Sequence, residues 1–265
     1  MALGLSEAQV RQAAQALLDA RAQRVRLPDL PPGLRPRTTA DAEAICEAMG
    51  IGFGGEVGGW KVGCTDPAVA IKVGLERPFL GRIPAEYVLQ SGASVRWSDL
   101  LRPVVEAEIG FRFGRDLPPR AQAYSAEEVA EAVDALVPGI EIPESRLTDD
   151  HPIGALGMVA DQGYAGRFVC GTPLADWRSL DLGAQGVVLS VGGREVARGV
   201  GAKAMGNPFE AVVWLANERA RLGDGVRAGQ VVSTGSLTGI QWTQPGDLAV
   251  ADYGALGRVE VRLTA

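Results

Sequence analysis

The chain has 265 residues, of which 46% are hydrophobic and 22% charged, enough for one large domain or one domain with a small appendage. A formal net charge of −6 and the lack of a basic run interleaved with aromatics argue against nucleic acid as the main partner. No apolar stretch is long enough to span a membrane. Residues Met1 to Gln9 show no basic segment leading into an apolar one, so no signal peptide is expected. Cys46, Cys64 and Cys170 are odd in number, far apart and without zinc spacing, which suits a reducing, cytoplasmic compartment.

From the amino end, Ser6 to Gln23 predicts an amphipathic helix. Ser6 with Gln9 fits a capping box, and Val10, Ala13, Ala14, Leu17 and Leu18 form one stripe. The prolines at 28, 31, 32 and 36 make a rigid loop, and a second helix runs from about Thr39 to Met49. The glycine-rich stretch Gly50 to Gly59 is the best boundary, dividing a helical region, 1–58, from the rest, 59–265. Beyond it the texture changes to short strands and turns, beginning with Trp60–Gly63. Val104 to Phe113 is the strongest strand. Ser125 with Glu128 caps a helix expected to reach about Leu136, and Gly139 to Pro143 reads as a short strand. Val187–Val191 and Arg194–Arg198 form a hairpin around Gly192-Gly193. Asn207 caps a helix that has Pro208 in its first position and ends at Gly223. Strands at 231–234, 248–252 and 259–263 complete the chain. Many short strands with few helices predict an α+β fold on a mixed β-roll or sandwich core, with a small helical N-terminal region.

The residues that stand out chemically lie in the strand at Val104–Phe113. Side chains alternate along a strand, so Val105, Ala107, Ile109, Phe111 and Phe113 face one way and Glu106 and Glu108 the other. Two like charges on one half-buried face call for a positive partner, and a divalent cation is the natural one. The competing reading is an ordinary exposed strand face. Glu141, alternating with Ile140 and Ile142, would join the pair if the intervening helix returns the chain beside the first strand; Glu144, past Pro143, is the other candidate. A carboxylate-rich site in a chain with a single histidine, His151, favours Mg²⁺ or Mn²⁺ over zinc. Lys61 sits in an apolar, glycine-flanked stretch. It is either a snorkelling surface lysine, or an ammonium for an anionic substrate, or a proton-transfer group with a lowered pKa. His151 reads as a turn residue. Lys203, in a small-residue loop before the capped helix, is a linker or an approach to a ligand, and Thr234 to Gly239 offers backbone donors for a carboxylate or simply ends a strand.

Taken together, GWKVGCTD at 59–66, RPVVEAEIGFRFGRDLP at 102–118, VPGIEIPESRL at 137–147, ADQGYAG at 160–166, GNPFEAVVWLAN at 206–217 and RAGQVVSTGSLTG at 227–239 resemble the 2-keto-4-pentenoate hydratase / 4-oxalocrotonate decarboxylase family of the fumarylacetoacetate hydrolase superfamily. The resemblance covers nearly the whole chain. It implies a fumarylacetoacetate hydrolase-type core, Mg²⁺ or Mn²⁺ on Glu106, Glu108 and Glu141, and Lys61 contacting a small 2-keto acid substrate near the metal, with Glu106 and Lys61 as the catalytic pair. Tyr164, Thr234 and Gly235 are expected to line the substrate. It further implies a homo-oligomer, and association with a decarboxylase or hydratase partner of the family is one arrangement to expect. The sequence departs from the family at two places. The segment Glu76 to Gly81 lacks the Asp of the family's Gln-Pro-Asp-Phe-Gly, a change placed near Leu80, and Tyr164 stands where a Ser is common.

The implied reaction starts from a 2-keto acid that chelates the cation through its carboxylate and keto oxygens, so that the enolate is stabilised. The preferred expectation is a hydratase of a 2-hydroxy-2,4-dienoate-type acid in the breakdown of an aromatic compound. A 4-oxalocrotonate-type decarboxylase is the runner-up. An acylpyruvate C–C hydrolase ranks lower because the sole histidine lies well after the carboxylates, and a catalytically silent family member is the alternative of a different class.

Overall fold

A computed structural model describes residues 4–265. The reading of the amino end over Met1–Gln9 therefore falls partly outside the described residues. Two helices, α1 (Glu7–Gln23) and α2 (Thr39–Gly52), come first, each opened by a capping box, Ser6 with Gln9 and Thr38 with Asp41. They pack on each other, and Leu17, Ile45 and Met49 are buried in a cluster shared with Phe79, Leu147 and Val159.

The remaining chain alternates β1 (Val57–Gly63), α3 (Pro67–Val73), β2 (Phe79–Pro84), β3 (Val88–Gln90), β4 (Ala93–Arg96), β5 (Val104–Phe113), α4 (Ala126–Ala132), β6 (Val133–Ile142), α5 (Ala155–Ala160) and β7 (Arg167–Cys170). It closes with β8 (Gly186–Val191), β9 (Arg194–Val200), α6 (Pro208–Arg221), β10 (Val231–Ser233), β11 (Gln241–Trp242), β12 (Leu248–Asp252) and β13 (Arg258–Thr264). One mixed sheet has the order β2-β1-β10-β5-β6-β7-β3, with β11 added on β5; a second, five-stranded sheet has the order β4-β13-β12-β8-β9. The fold is α+β with few helices and curled sheets, as the alternation of short strands predicts.

Strand β5 runs through the centre of the larger sheet. Its apolar face, Val105 through Phe113, is fully buried. The Phe111 ring meets Trp177 and Phe209 edge-on at centroid distances of 5.1 and 5.5 Å, which seats α6 against the sheet. The strand is not half-buried, as its alternation suggests, because its acidic face is covered too.

One boundary differs from the sequence expectation. The helix capped by Ser125 stops at Ala132, and the segment expected to finish it instead begins the ten-residue strand β6. Val133 and Val137 are β-branched, Pro138 lacks a donor, and the whole segment pairs antiparallel with β5, so tertiary pairing overrides the helical start. At Gly139 the ring of Phe168 lies where a side chain would be; a Cβ there would sit 2.2 Å from it. Helices α3 and α5 and strands β2, β3, β4 and β7 were not read from the sequence. None is longer than seven residues, too short to show a clear period.

Candidate active site

The antiparallel register of β5 and β6 sets Glu106 directly across from Glu141 and Glu108 across from Gly139. Facing residues share one side of a sheet, so all three carboxylates emerge together. Each offers an oxygen within 4.8 Å of the others. Glu106 is 8% exposed and Glu108 and Glu141 not at all, which removes the reading of an ordinary exposed face. Glu144 does not join them; it lies near Arg146 and Arg167 instead.

The surroundings orient these groups. Glu108 Oε2 accepts hydrogen bonds from Gly235 N at 2.9 Å and from Ser233 Oγ. Thr234 turns away, its Oγ1 donating to Ile109 O at 2.5 Å. The hydroxyl of Tyr253, after β12, lies 2.7 Å from the carbonyls of both Glu108 and Gly139, so the second sheet pins the strand pair from behind. Gly235 has φ +108°, and a Cβ there would fall 1.9 Å from Thr65 Oγ1, so only glycine can bring its N–H to Glu108.

Strand β1 lies two strands from β5 and delivers Lys61, whose Nζ is 2.9 Å from Glu141 Oε2 in a side chain only 8% exposed. The surface-lysine reading is thereby corrected. Burial alone would lower its pKa, but Glu141, Glu106 and Glu108 raise it, which favours the ammonium form in the metal-free site. Burial raises Glu141 well above the usual carboxylate range; Lys61 pulls it down and the other two carboxylates push it up. Glu108 is raised by burial and by Glu106, against Lys61 and the hydrogen bonds from Ser233 and Gly235, which lower it. If all three ionised, one ammonium would leave two negative charges uncompensated in a dry site. Glu108 Oε1 and Glu141 Oε1 are buried without a hydrogen-bond partner among the described residues. Three converging carboxylates with orphaned oxygens fit a hard divalent cation such as Mg²⁺ or Mn²⁺, for which oxygen donors are the preferred set.

Glu106 and Glu108 open into a cavity of about 460 Å³. Lys61, Gly235, Tyr164 and Lys203 line it, whereas Thr234 lies behind its wall. Tyr164 takes the left-handed backbone at φ 63°, and its hydroxyl is 3.1 Å from His151 Nε2. Burial raises the tyrosine and lowers the histidine, favouring the neutral forms of both. At the departure in 76–81 the wall residue is Phe79 and not Leu80, which instead borders a second cavity beside α2 and α6. Ser236 lines the main cavity from the 234–239 segment; Arg102, Cys64 and Thr65 also line it and were not singled out from sequence. Arg102 carried a signal, a cation just ahead of the acidic strand. The others lie in loops whose positions only the fold reveals.

With this geometry in hand, comparison with known proteins is direct. The family description "Fumarylacetoacetate (FAA) hydrolase C-terminal" matches residues 72–264. The chain is 37% identical over 209 residues to a 2-keto-4-pentenoate hydratase of Paraburkholderia xenovorans, covering 79% of this chain and 77% of that one. It is 31% identical over 209 residues to a 4-oxalocrotonate decarboxylase of Pseudomonas putida, covering 79% and 78%. Among solved structures, 4-oxalocrotonate decarboxylase from Pseudomonas putida G7, complexed with magnesium and adipate, superimposes with a TM-score of 0.88 at 28% identity, over 99% of this chain and 100% of that one. The same decarboxylase complexed with calcium and acetate gives 0.87 at 29%, over the same shares. Strand order, acidic cluster and these likenesses agree: the chain belongs to the 2-keto-4-pentenoate hydratase / 4-oxalocrotonate decarboxylase family, within the fumarylacetoacetate hydrolases.

Proposed function

We propose that this protein is a divalent-metal-dependent hydro-lyase that adds water across the conjugated double bond of a 2-hydroxy-2,4-dienoate-type 2-keto acid. The observation that carries this reading is the buried convergence of Glu106, Glu108 and Glu141 beside Lys61. The identity to curated hydratases over most of the chain supports water addition. Glu106, Glu108 and Glu141 are the residues that would hold the cation, with Mg²⁺ preferred and Mn²⁺ as the alternative. A bound cation supplies the Lewis acidity that stabilises negative charge on the substrate's keto oxygen.

The chain's own residues do the rest. Lys61 keeps its proton at Nζ and presents positive charge to the carboxylate end of the substrate. The Gly235 and Ser233 donors hold Glu108 in one orientation, so its free oxygen stays turned to the cavity. Phe79 and Tyr164 form the wall that keeps bulk water from the conjugated chain. The Tyr164–His151 contact holds the ring in its strained backbone position.

A decarboxylase of the same substrate class is the second reading, and one observation favours it: the structural likeness to 4-oxalocrotonate decarboxylase spans the whole chain. We further infer a homo-oligomer acting in the breakdown of aromatic compounds. A cytoplasmic location is supported by three unpaired cysteines. Among the described residues, no helix is long and apolar enough to cross a membrane. Metal titration and turnover of Glu106→Gln test the central reading: both should fall sharply, and a variant that keeps full metal binding and full turnover refutes it. Measuring CO₂ release against water addition with 4-oxalocrotonate separates the two reactions.

A further inference from the structure

A hydroxyl from the second sheet reaches the two strands that carry the carboxylates. Tyr253 follows β12, the central strand of that sheet, which pairs with β13 on one side and β8 on the other. Its backbone is held at both ends: Tyr253 N donates to Gly257 O at 3.0 Å, and Tyr253 O accepts from Gln185 Nε2 at 2.9 Å. The side chain is buried in the same apolar cluster as Val105, Ala107 and Ile109 of β5. From this fixed mount its hydroxyl lies 2.7 Å from both Glu108 O and Gly139 O, residues that face each other across β5 and β6. A hydroxyl has one proton to give, so the two carbonyls share it, and moving either strand weakens the bond.

The bridge sits where the strand pair has little else to fix it. Glu108 faces a glycine, so no contact between opposite side chains links the strands there. The next pair on that face is Glu106 with Glu141, two carboxylates that repel when set opposite each other. Strand spacing at this point decides how far apart the three carboxylates stand. Mg²⁺ demands a near-octahedral set of oxygens at about 2.0–2.1 Å, whereas Ca²⁺ accepts more oxygens at about 2.3–2.6 Å in looser geometry. Strands held at one spacing suit the stricter ion, and strands free to part suit the larger one.

We propose that Tyr253 is a positioning residue for the metal: from the second sheet it fixes the spacing of β5 and β6 at Glu108, and so lets the cluster favour Mg²⁺ over Ca²⁺. This rests on the reading of the three carboxylates as a cation site and adds to it a determinant of which cation binds.

The test is calorimetric titration of the full-length, metal-stripped protein with Mg²⁺ and with Ca²⁺, for the unmodified chain, Tyr253→Phe and Tyr124→Phe. Phenylalanine keeps the ring and its packing, and a melt in EDTA shows that each variant is folded. Tyr124→Phe is the control: its hydroxyl also donates from a buried ring to a backbone carbonyl, that of Pro118, but away from the two strands. Both variants should melt lower. In Tyr253→Phe the ratio of Mg²⁺ to Ca²⁺ affinity should fall about threefold to tenfold, the worth of one hydrogen bond, mainly through weaker Mg²⁺ binding. In Tyr124→Phe the ratio should stay as it is. A ratio that changes less than twofold in Tyr253→Phe, or that falls equally in Tyr124→Phe, overturns the proposal and leaves the cation site standing. If the unmodified protein binds neither ion, or if Glu106→Gln binds both as tightly as the unmodified protein does, the reading of the cation site fails and this inference falls with it.

Discussion

Glu108→Gln sets stability against metal binding at one position. In protein stripped of divalent ions, Glu106, Glu108 and Glu141 have oxygens within 4.8 Å of one another. At an effective dielectric constant of about 20, two unit charges at that separation repel by about 3.5 kcal/mol. Glu108 meets two such neighbours, and its attraction to Lys61 offsets roughly one of them. Protons retained by the raised carboxyls of Glu108 and Glu141 already relieve part of the remainder. Neutralising Glu108 should therefore stabilise the metal-free protein by about 1–2 kcal/mol, or roughly 2–8 °C in melting temperature for a chain of this size. The substitution leaves no cavity, and the amide oxygen can still accept from Gly235 N and Ser233 Oγ. Metal acts in the opposite direction. At a hundredfold excess over its dissociation constant, a ligand confined to the folded state adds about 2.7 kcal/mol, and a site with two carboxylates should gain far less than one with three. Calorimetric melts in EDTA and in Mg²⁺ read both effects. A variant that melts below the unmodified protein in EDTA, or that gains as much from Mg²⁺, refutes the reasoning.

Three further outcomes follow from other parts of the fold. Asp41 accepts from the backbone N–H groups of Gly4, Leu5, Arg37 and Thr38, so Asp41→Ala should cost on the order of 3 kcal/mol in urea unfolding; a loss below about 0.5 kcal/mol would contradict this. Arg120 and the Ser125 backbone hold Glu128 down at about 2, against an ordinary value of 4.5. Its contribution to stability is thus complete above pH 4.5 and lost as pH falls toward 2; the urea midpoint of Glu128→Gln should lack that component of the acid dependence, and an unchanged profile would count against it. Burial raises the thiols of all three cysteines, Cys170 to about 12, yet only Cys64 lines the cavity. Iodoacetamide should label Cys64 first and slowly, and oxalate with Mg²⁺ should protect it; mass spectrometry showing Cys46 or Cys170 labelled first in folded protein would refute this.

Much of the site was legible before the fold was known, for a reason specific to strands. Alternation places Glu106 and Glu108 on one face whatever the partners are, and the same rule applied to Glu141 with Ile140 and Ile142 gives its orientation. The pairing of β5 with β6 was a guess about topology that the register then supplied. Lys61 was visible only as an anomaly, because sequence could not show the three carboxylates that raise its pKa. Arg102 and the Tyr164–His151 contact were not legible as a site, since both depend on how loops between the strands pack, which local patterning does not report. The early end of α4 was missed because a local capping signal says where a helix starts and nothing about the strand that claims its tail.

The pairing of Glu106 with Glu141 also bears on how the chain reaches its native state. Sliding β6 along β5 by a single residue would preserve many backbone hydrogen bonds, but it would turn Glu141 to the opposite side of the sheet, into the layer occupied by Phe111 and Trp177. The mistake would thus bury a lone carboxylate in hydrocarbon while breaking up the acidic trio. The same three side chains therefore serve as a proofreading mark during folding, penalising misaligned hairpins long before any substrate is met.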